Sequence, residues 1–226
     1  MEFKDGFIPT ESALNSLEKF YSDVVEYNKK VNLTSITERE EFFIKHIWDS
    51  LAGQKYFPSG CSAAEVGSGG GFPSLPIKIC RPDVAFTLFE SVGKKCTFLR
   101  EESAALELGG VSVQNMRAED AGRDVRFREK FDVCCARAVA RLNSLLEYCA
   151  PLVKKGGIFI AYKGDAAEEI EEAEHAAKVL GMKKESDERY CLPSDLGVRT
   201  LVVYRKISST PAEYPRGQGK ERKSPL

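Results

Sequence analysis

Four glycines in five positions follow directly on the apolar run Ala63, Ala64, Val66, in the stretch Glu65-Val66-Gly67-Ser68-Gly69-Gly70-Gly71-Phe72-Pro73. Beyond Pro73 the chain continues as Leu75-Pro76-Ile77-Lys78-Ile79-Cys80, a helix-like pattern. Strand, glycine loop, helix is the arrangement by which an α/β protein brings bare backbone against a ligand. Glycine reaches positive φ at no steric cost and places no Cβ in the way. The loop therefore indicates an α/β fold built around a nucleotide-like ligand.

Length and composition agree with that. The 226 residues, 42% hydrophobic and 30% charged, suffice for one substantial core and a modest extension. No apolar run approaches the roughly 18–20 residues of a bilayer span, and Met1-Glu2-Phe3-Lys4-Asp5 lacks the layout of a signal peptide, so no membrane partner is expected. Seven cysteines (Cys61, Cys80, Cys96, Cys134, Cys135, Cys149, Cys191) form an odd set without a C-x-x-C pair. That favours buried thiols in a reducing cytoplasm over disulfides or a zinc site, and no metal is expected. A net charge of −1 argues against coating nucleic acid by bulk electrostatics. From Arg205 to Leu226, however, six basic residues stand against two acidic ones. Both a solvated terminus and a phosphate-contacting arm fit that imbalance.

Leu14, Leu17, Tyr21, Val24 and Val25 recur at helical spacing, which predicts an amphipathic helix over 10–30. Thr37-Glu38-Arg39-Glu40 reads as a capping box opening a second helix that runs to about Leu51. From Cys61 onward strands (61–66, 84–90, 111–115, 131–136, 157–163, 199–206) alternate with helices (74–80, 93–108, 140–150, 166–180). Such alternation predicts a mostly parallel sheet covered on both faces. Residues 1–60 form an N-terminal helical extension, 61–207 the α/β domain and 208–226 a basic tail, with Pro211 to Leu226 the one flexible-looking segment.

The loop does not fit the dinucleotide pattern G-x-G-x-x-G: counted from Gly67 the third glycine is Phe72, and counted from Gly69 it is Ser74. That counts against a nicotinamide-dependent dehydrogenase. The pattern is instead Glu65-x-Gly67-x-Gly69-x-Gly71, similar to the first motif of S-adenosylmethionine-dependent methyltransferases. Backbone N–H groups can approach the methionine carboxylate of that cofactor, and an acidic side chain can help hold its ammonium. Glu90 ends the second strand and can accept ribose hydroxyls, and Ala118-Glu119-Asp120 follows the third strand, where it can border adenine.

Residue types then separate the substrates. Methylation of an exocyclic amine usually uses an Asn/Asp-Pro-Pro-aromatic loop after the fourth strand, where this chain has Ala136-Arg137-Ala138-Val139. Methylation of pyrimidine C5 needs an activated cysteine on a loop, whereas Cys134 and Cys135 sit within the strand pattern. A ring nitrogen such as guanine N7 has an in-plane lone pair and no proton, so it needs alignment and a donor to O6 rather than a general base. Arg137 stands where such a donor would sit; a surface ion pair and a cofactor contact are its other readings. His46 and Asp49, one turn apart, have two readings: a catalytic pair or, favoured because N7 has no proton to lose, structural hydrogen bonds joining the helical extension to the sheet.

A series of blocks in order now identifies a resemblance. Asn28-Lys29-Lys30-Val31-Asn32-Leu33-Thr34, His46-Ile47-Trp48-Asp49-Ser50-Leu51, the glycine loop, Glu90-Ser91-Val92-Gly93-Lys94-Lys95, Arg117-Ala118-Glu119, Ala136-Arg137-Ala138-Val139-Ala140, Lys163-Gly164 and Tyr214-Pro215-Arg216-Gly217 resemble the bacterial RsmG family, also called glucose-inhibited division protein B. The resemblance implies a Rossmann-like methyltransferase with a seven-stranded sheet and an N-terminal helical extension. It further implies S-adenosylmethionine as cofactor and N7 of a guanine in 16S rRNA of the small ribosomal subunit as target, in the cytoplasm. No DNA partner is expected, and monomer is the default state. By motif position Gly67, Phe72, Ala118, Glu119 and Arg137 carry over as cofactor contacts, joined on chemical grounds by Glu65, Gly69, Gly71 and Glu90. Lys94, Lys95, Arg199, Arg216 and Lys223 are candidate RNA contacts. The family usually has aspartate at Glu65, a change that keeps the charge, and glycine at Ser74, where a side chain crowds the loop. A non-catalytic RNA-binding or assembly factor on the same fold is the competing reading.

Overall fold

Ala63, Ala64 and Val66 are all apolar because β1 (Ser62–Val66) is central in the sheet and buried on both faces. Alternate residues feed two separate cores: Ala63 joins one, Ala64 and Val66 the other. In β4 (Phe131–Arg137), Val133 and Cys135 enter the first core and Cys134 and Ala136 the second. The adjacent thiols are thus packing groups on opposite faces, both pushed up in pKa chiefly by burial.

The computed structural model describes residues 3–226. With β2 (Ala85–Glu90), β3 (Val111–Asn115), β5 (Val153–Lys163), β6 (Met182–Cys191) and β7 (Val198–Lys206), the sheet has seven strands in the order β3-β2-β1-β4-β5-β7-β6. The first five are parallel; β7 runs antiparallel between β5 and β6. On the first face lie α1 (Glu11–Asn28), α4 (Ser74–Cys80), α5 (Gly93–Ala105) and a helical segment made of α2 (Arg39–Phe42), a π-helical turn (Phe43–Trp48) and α3 (Asp49–Ala52). On the other face lie α6 (Ala118–Arg123), α7 (Leu142–Cys149), α8 (Ala167–Glu172) and α9 (Glu174–Val179). Leu17, Phe20 and Val24 of α1 belong to the same core as the strands, so the N-terminal extension shares the core of the α/β unit.

The structure differs from the sequence reading at five places. The predicted strands omit β6, a polar edge strand (Met-Lys-Lys-Glu-Ser-Asp-Glu-Arg-Tyr-Cys) whose register with β7 runs from Met182 opposite Lys206 to Cys191 opposite Val198. Charge on an edge strand discourages further pairing and also removes the apolar signal. Glu38, not Thr37, caps the second helix, its carboxylate accepting from the N–H groups of Glu40 and Glu41. Helix α6 occupies what reads as an acidic loop, and the helix predicted over 166–180 breaks at Ala173.

The fifth is the tail, which is docked throughout. Arg128 donates to the carbonyls of Gly122, Thr210, Pro211 and Tyr214, and Arg123 to those of Pro215 and Arg216. Ser144 donates to Glu221 O at 2.6 Å, seating α10 (Lys220–Lys223) beside α7. Arg216 forks onto the fully buried carboxylate of Glu147 with bonds of 2.7–3.2 Å. Removing one partner of such a pair strands the other. Arg216→Ala is expected to lower the unfolding free energy by about 3 kcal/mol in urea denaturation, and Glu147→Gln in the same chain to recover part of that loss.

Candidate active site

β1 and β4 are neighbours from which the strand order runs in opposite directions, so a crevice opens at their carboxyl ends. The glycine loop follows β1, and Arg137-Ala138-Val139 ends β4. Gly67 has φ +70° and donates to Phe89 O at 2.8 Å. A Cβ there would lie 2.6 Å from Val139 Cγ2, so close packing excludes any side chain. Gly71 is excluded likewise by Leu75, at 2.6 Å. Gly69, with φ +54°, is different: its Cβ would meet only Gly67 O at 3.8 Å. Its bareness leaves open space beside the loop rather than relieving a clash.

A cleft of about 330 Å³ lies here, lined among others by Gly67, Glu90, Ala118, Glu119, Tyr148 and Arg222. Glu90 sets both the loop and the cleft floor: Oε2 accepts from Gly69 N at 2.9 Å and Oε1 from Val92 N at 2.7 Å. A carboxylate offers about four acceptor positions, so two remain for hydroxyls entering the cleft. Tyr148 and Arg222 carry no signal in the sequence. Arg222 arrives on α10 and donates to Val139 O at 3.0 Å, so the docked tail forms a wall of this cleft.

Glu65 is fully buried beneath the loop and does not line the cleft. Ser74 donates to its Oε2, while Oε1 has no partner among the described residues. Burial, the dominant cause, pushes the carboxyl up to about 8 against the opposing pull of Ser74 and Arg137. Burial thus favours the uncharged carboxyl in the free protein, against the charge expected at this position. Glu65 and Ser74 are also a bonded pair: the longer acid reaches the added hydroxyl.

Arg137 lines a second cleft, also of about 330 Å³, with Ile36, Lys45, Lys163, Glu169 and Arg199 among its neighbours. Its guanidinium donates to Lys45 O at 3.0 Å and Asp49 Oδ2 at 3.1 Å, and contacts His46 Nδ1 at 2.9 Å. It also stands 5.0 Å from the centre of the Phe72 ring. Arginine has no lone pair to offer, so His46 Nδ1 is the acceptor and Nε2–H donates to Thr34 Oγ1, at 2.7 Å. Burial first and the Arg137 charge second push His46 down to about 3, which keeps it neutral. Asp49 bonds Tyr190 at 2.8 Å as well as Arg137. His46 and Asp49 thus join the helical extension to strands β4 and β6. Phe72 lines neither cleft: its ring stacks on His46, with centroids 4.3 Å apart, and packs against Phe20 and Phe42.

Of the candidate RNA contacts, Arg199 lines the second cleft, and Lys94 and Lys95 open α5 next to Ser91 at the rim of the first. Lys223 is exposed at the end of α10. Arg216 is committed to Glu147 and serves the tail.

Comparison with known proteins adds the family. A family model described as "GidB: rRNA small subunit methyltransferase G" matches residues 13–191. Proteins named ribosomal RNA small subunit methyltransferase G are similar along nearly their whole length. One from Lactobacillus johnsonii is 45% identical over 99% of this chain and 95% of its own, and one from Exiguobacterium sp. is 43% identical over 98% and 94%. This chain belongs to the rRNA small subunit methyltransferase G family. Solved structures share the family's fold at low identity. A ribosomal protein L11 methylase from Lactobacillus delbrueckii superposes with a TM-score of 0.56 at 16% identity, covering 73% of this chain and 79% of that one. A SAM-dependent O-methyltransferase from Thermotoga maritima gives 0.54 at 11%, covering 83% and 72%. The architecture is a Rossmann-like methyltransferase sheet. Of the positions matched to the family motif, Gly67, Ala118 and Glu119 come together in the first cleft, Arg137 lies in the second, and Phe72 supports Arg137 from below.

Two outcomes follow. Gly69→Asn, a residue that tolerates the left-handed region, should cost about 1 kcal/mol of stability or less and weaken cofactor binding more than tenfold by calorimetry. For Glu65 the folded-state pKa lies above the unfolded value. Its contribution to stability is therefore present below about pH 4.5 and lost as pH rises toward about 8. Relative to Glu65→Gln, the wild type should lose on the order of 1 kcal/mol per pH unit between pH 5 and 8, read from urea midpoints.

Proposed function

We propose that this protein transfers the methyl group of S-adenosylmethionine to N7 of a guanine in 16S rRNA of the small ribosomal subunit. One observation supports this most: the two clefts meet at Arg137-Ala138-Val139, with Arg137 and Ala138 lining one and Val139 the other. The residues of the first cleft and of the glycine loop at its edge fit the cofactor. Open space beside Gly69 suits the methionine end, Glu90 has acceptor capacity for ribose, and Ala118 and Glu119 border adenine. P. horikoshii TYW2, solved in complex with MeSAdo, shares this fold, with a TM-score of 0.55 at 18% identity over 70% of this chain and 61% of that one.

The bound cofactor supplies an electrophilic methyl on a sulfonium. What this chain contributes is alignment of the base against that methyl and a cleft that excludes water. No proton needs to leave N7, and neither His46 nor Asp49 is placed to take one. His46 is neutral with both ring nitrogens engaged, and Asp49 accepts from Arg137 and Tyr190. Arg137 has three of its five N–H groups committed and two left for substrate or cofactor. Phosphates of the RNA fall to Lys94, Lys95, Arg199 and Lys223. The protein acts as a monomer in the cytoplasm.

The test is methylation of small subunits lacking the modification, with labelled methyl donor, followed by mapping of the labelled base. The expected product is a single N7-methylguanine in 16S rRNA. Tight cofactor binding without transfer would favour the non-catalytic assembly factor instead. Lys94→Ala with Lys95→Ala should raise KM for the subunit severalfold and leave the cofactor Kd unchanged. The salt dependence of subunit binding should flatten by about one unit of slope for each phosphate that is no longer neutralised.

A further inference from the structure

The second cleft contains four cationic side chains, Lys45, Arg137, Lys163 and Arg199, and two carboxylates, Asp49 and Glu169. Most of its side-chain acceptors hold at least one hydrogen bond. Each Asp49 oxygen accepts a hydrogen bond, one from Arg137 and one from Tyr190, and His46 Nδ1 accepts from Arg137. Glu169 is the exception. Its Oε2 accepts from Leu142 N at 2.8 Å and pairs with Lys163 Nζ at 2.7 Å, while Oε1 accepts no hydrogen bond from any described residue. Lys163 Nζ also donates to Ala140 O at 2.9 Å, which leaves one of its three protons. The two side chains are only 12% and 19% exposed, so neither is a free surface charge. Ala140 and Leu142 lie just past Arg137, so the chain leaving β4 fixes the Lys163–Glu169 pair in place.

A donor fixed beside an acceptor discriminates between purines. Guanine presents the acceptor O6 next to the donor N1–H, and adenine presents the reverse, a donor at N6 next to an acceptor at N1. We propose that Lys163 and Glu169 read the Watson–Crick edge of the target guanine, Lys163 Nζ donating to O6 and Glu169 Oε1 accepting the N1 proton. The proposal rests on the reading of the target as guanine N7 and names the residues that select the base. It is compatible with the reaction because N7 lies on the far side of O6 from N1: a base held along its Watson–Crick edge keeps N7 uncovered. It also requires that the guanine be unpaired or flipped out, since that edge is occupied in a duplex.

The experiment uses small subunits reconstituted with the mapped target guanine, or with inosine or 2-aminopurine in its place. Inosine keeps O6 and N1–H; 2-aminopurine lacks O6 and has an acceptor at N1. The wild type should methylate guanine and inosine at rates within a few-fold and 2-aminopurine about 100-fold more slowly. Glu169→Gln keeps an oxygen for Leu142 N and Lys163 but turns an N–H toward the base. It should lower kcat/KM on guanine about 30- to 100-fold and shrink the preference over 2-aminopurine at least tenfold, with cofactor Kd unchanged. Lys163→Met should slow guanine and inosine together and spare 2-aminopurine. An unchanged guanine preference in Glu169→Gln, or equal losses on all three bases, overturns the proposal and leaves the pair a structural one. A wild type that labels no guanine N7 overturns the parent reading as well, and the two failures are thus distinct.

Discussion

The guanidinium of Arg137 is the junction on which the site depends. It ends a central strand and carries a charge that cannot be neutralised, so its surroundings must supply acceptors. They come from the facing helical segment: Lys45 O, Asp49 and His46. One consequence propagates. Because His46 accepts at Nδ1, it must donate at Nε2, to Thr34, whose N–H in turn rests on Asn28 Oδ1 together with that of Leu33. A continuous path of hydrogen bonds therefore runs from β4 to the turn after α1. The blocks Asn28 to Thr34, His46 to Leu51 and Ala136 to Ala140, far apart in the chain, are parts of one network. Phe72 completes it from the glycine loop, stacked on His46 and beneath Arg137, so the loop and the second cleft share a support.

The opposite face is held by the same device with a different partner. Glu147 of α7 is fully buried and relies on Arg216, while Glu221 is buried with Oε1 on Gly217 N and Oε2 unpartnered among the described residues. These contacts place α10, and with it Arg222, against the first cleft. Buried ion pairs are seldom a net source of stability, because desolvation offsets most of the attraction. Their effect here is positional: a tail held by carbonyls and two buried acids has one docking geometry.

What can be read from the chain follows from what leaves a trace in residue type. The central strands are legible because burial on both faces demands apolar runs, as in Ala63 to Val66, interrupted only by the buried Glu65. The glycine loop is legible because bare backbone has a single residue type. Strand β6 is not, since backbone pairing with β7 is its main requirement and charged residues satisfy that equally well. The docking of the tail is hidden for a related reason: Arg123 and Arg128 hold it through carbonyl oxygens, which every residue has. Its basic residues suggest RNA, and for Arg216 the structure provides an intramolecular carboxylate. The departures at Glu65 and Ser74 are visible but their relation is not, because the hydrogen bond between them depends on the depth of Glu65 under the loop. Of the site, the first cleft is largely legible by motif, whereas Tyr148, Arg222, Lys163 and Glu169 gather only through the packing of α7, α8 and α10.

The junction between the clefts has a backbone cause. In an extended strand Arg137 and Val139 would point to the same side, two residues apart. Ala138 has φ +57°, a region costing a non-glycine residue about 1 kcal/mol or more. That turn breaks the alternation at the end of β4, so Arg137 and Ala138 border one cleft while Val139 covers Gly67 in the other. A small side chain is the least costly choice there, since a β-branched residue would add strain to the same turn. One strained residue thus lets a single strand end border two clefts: bare main chain of the glycine loop lines one, and fixed charged side chains line the other. A reaction that needs alignment and no proton transfer asks for little more.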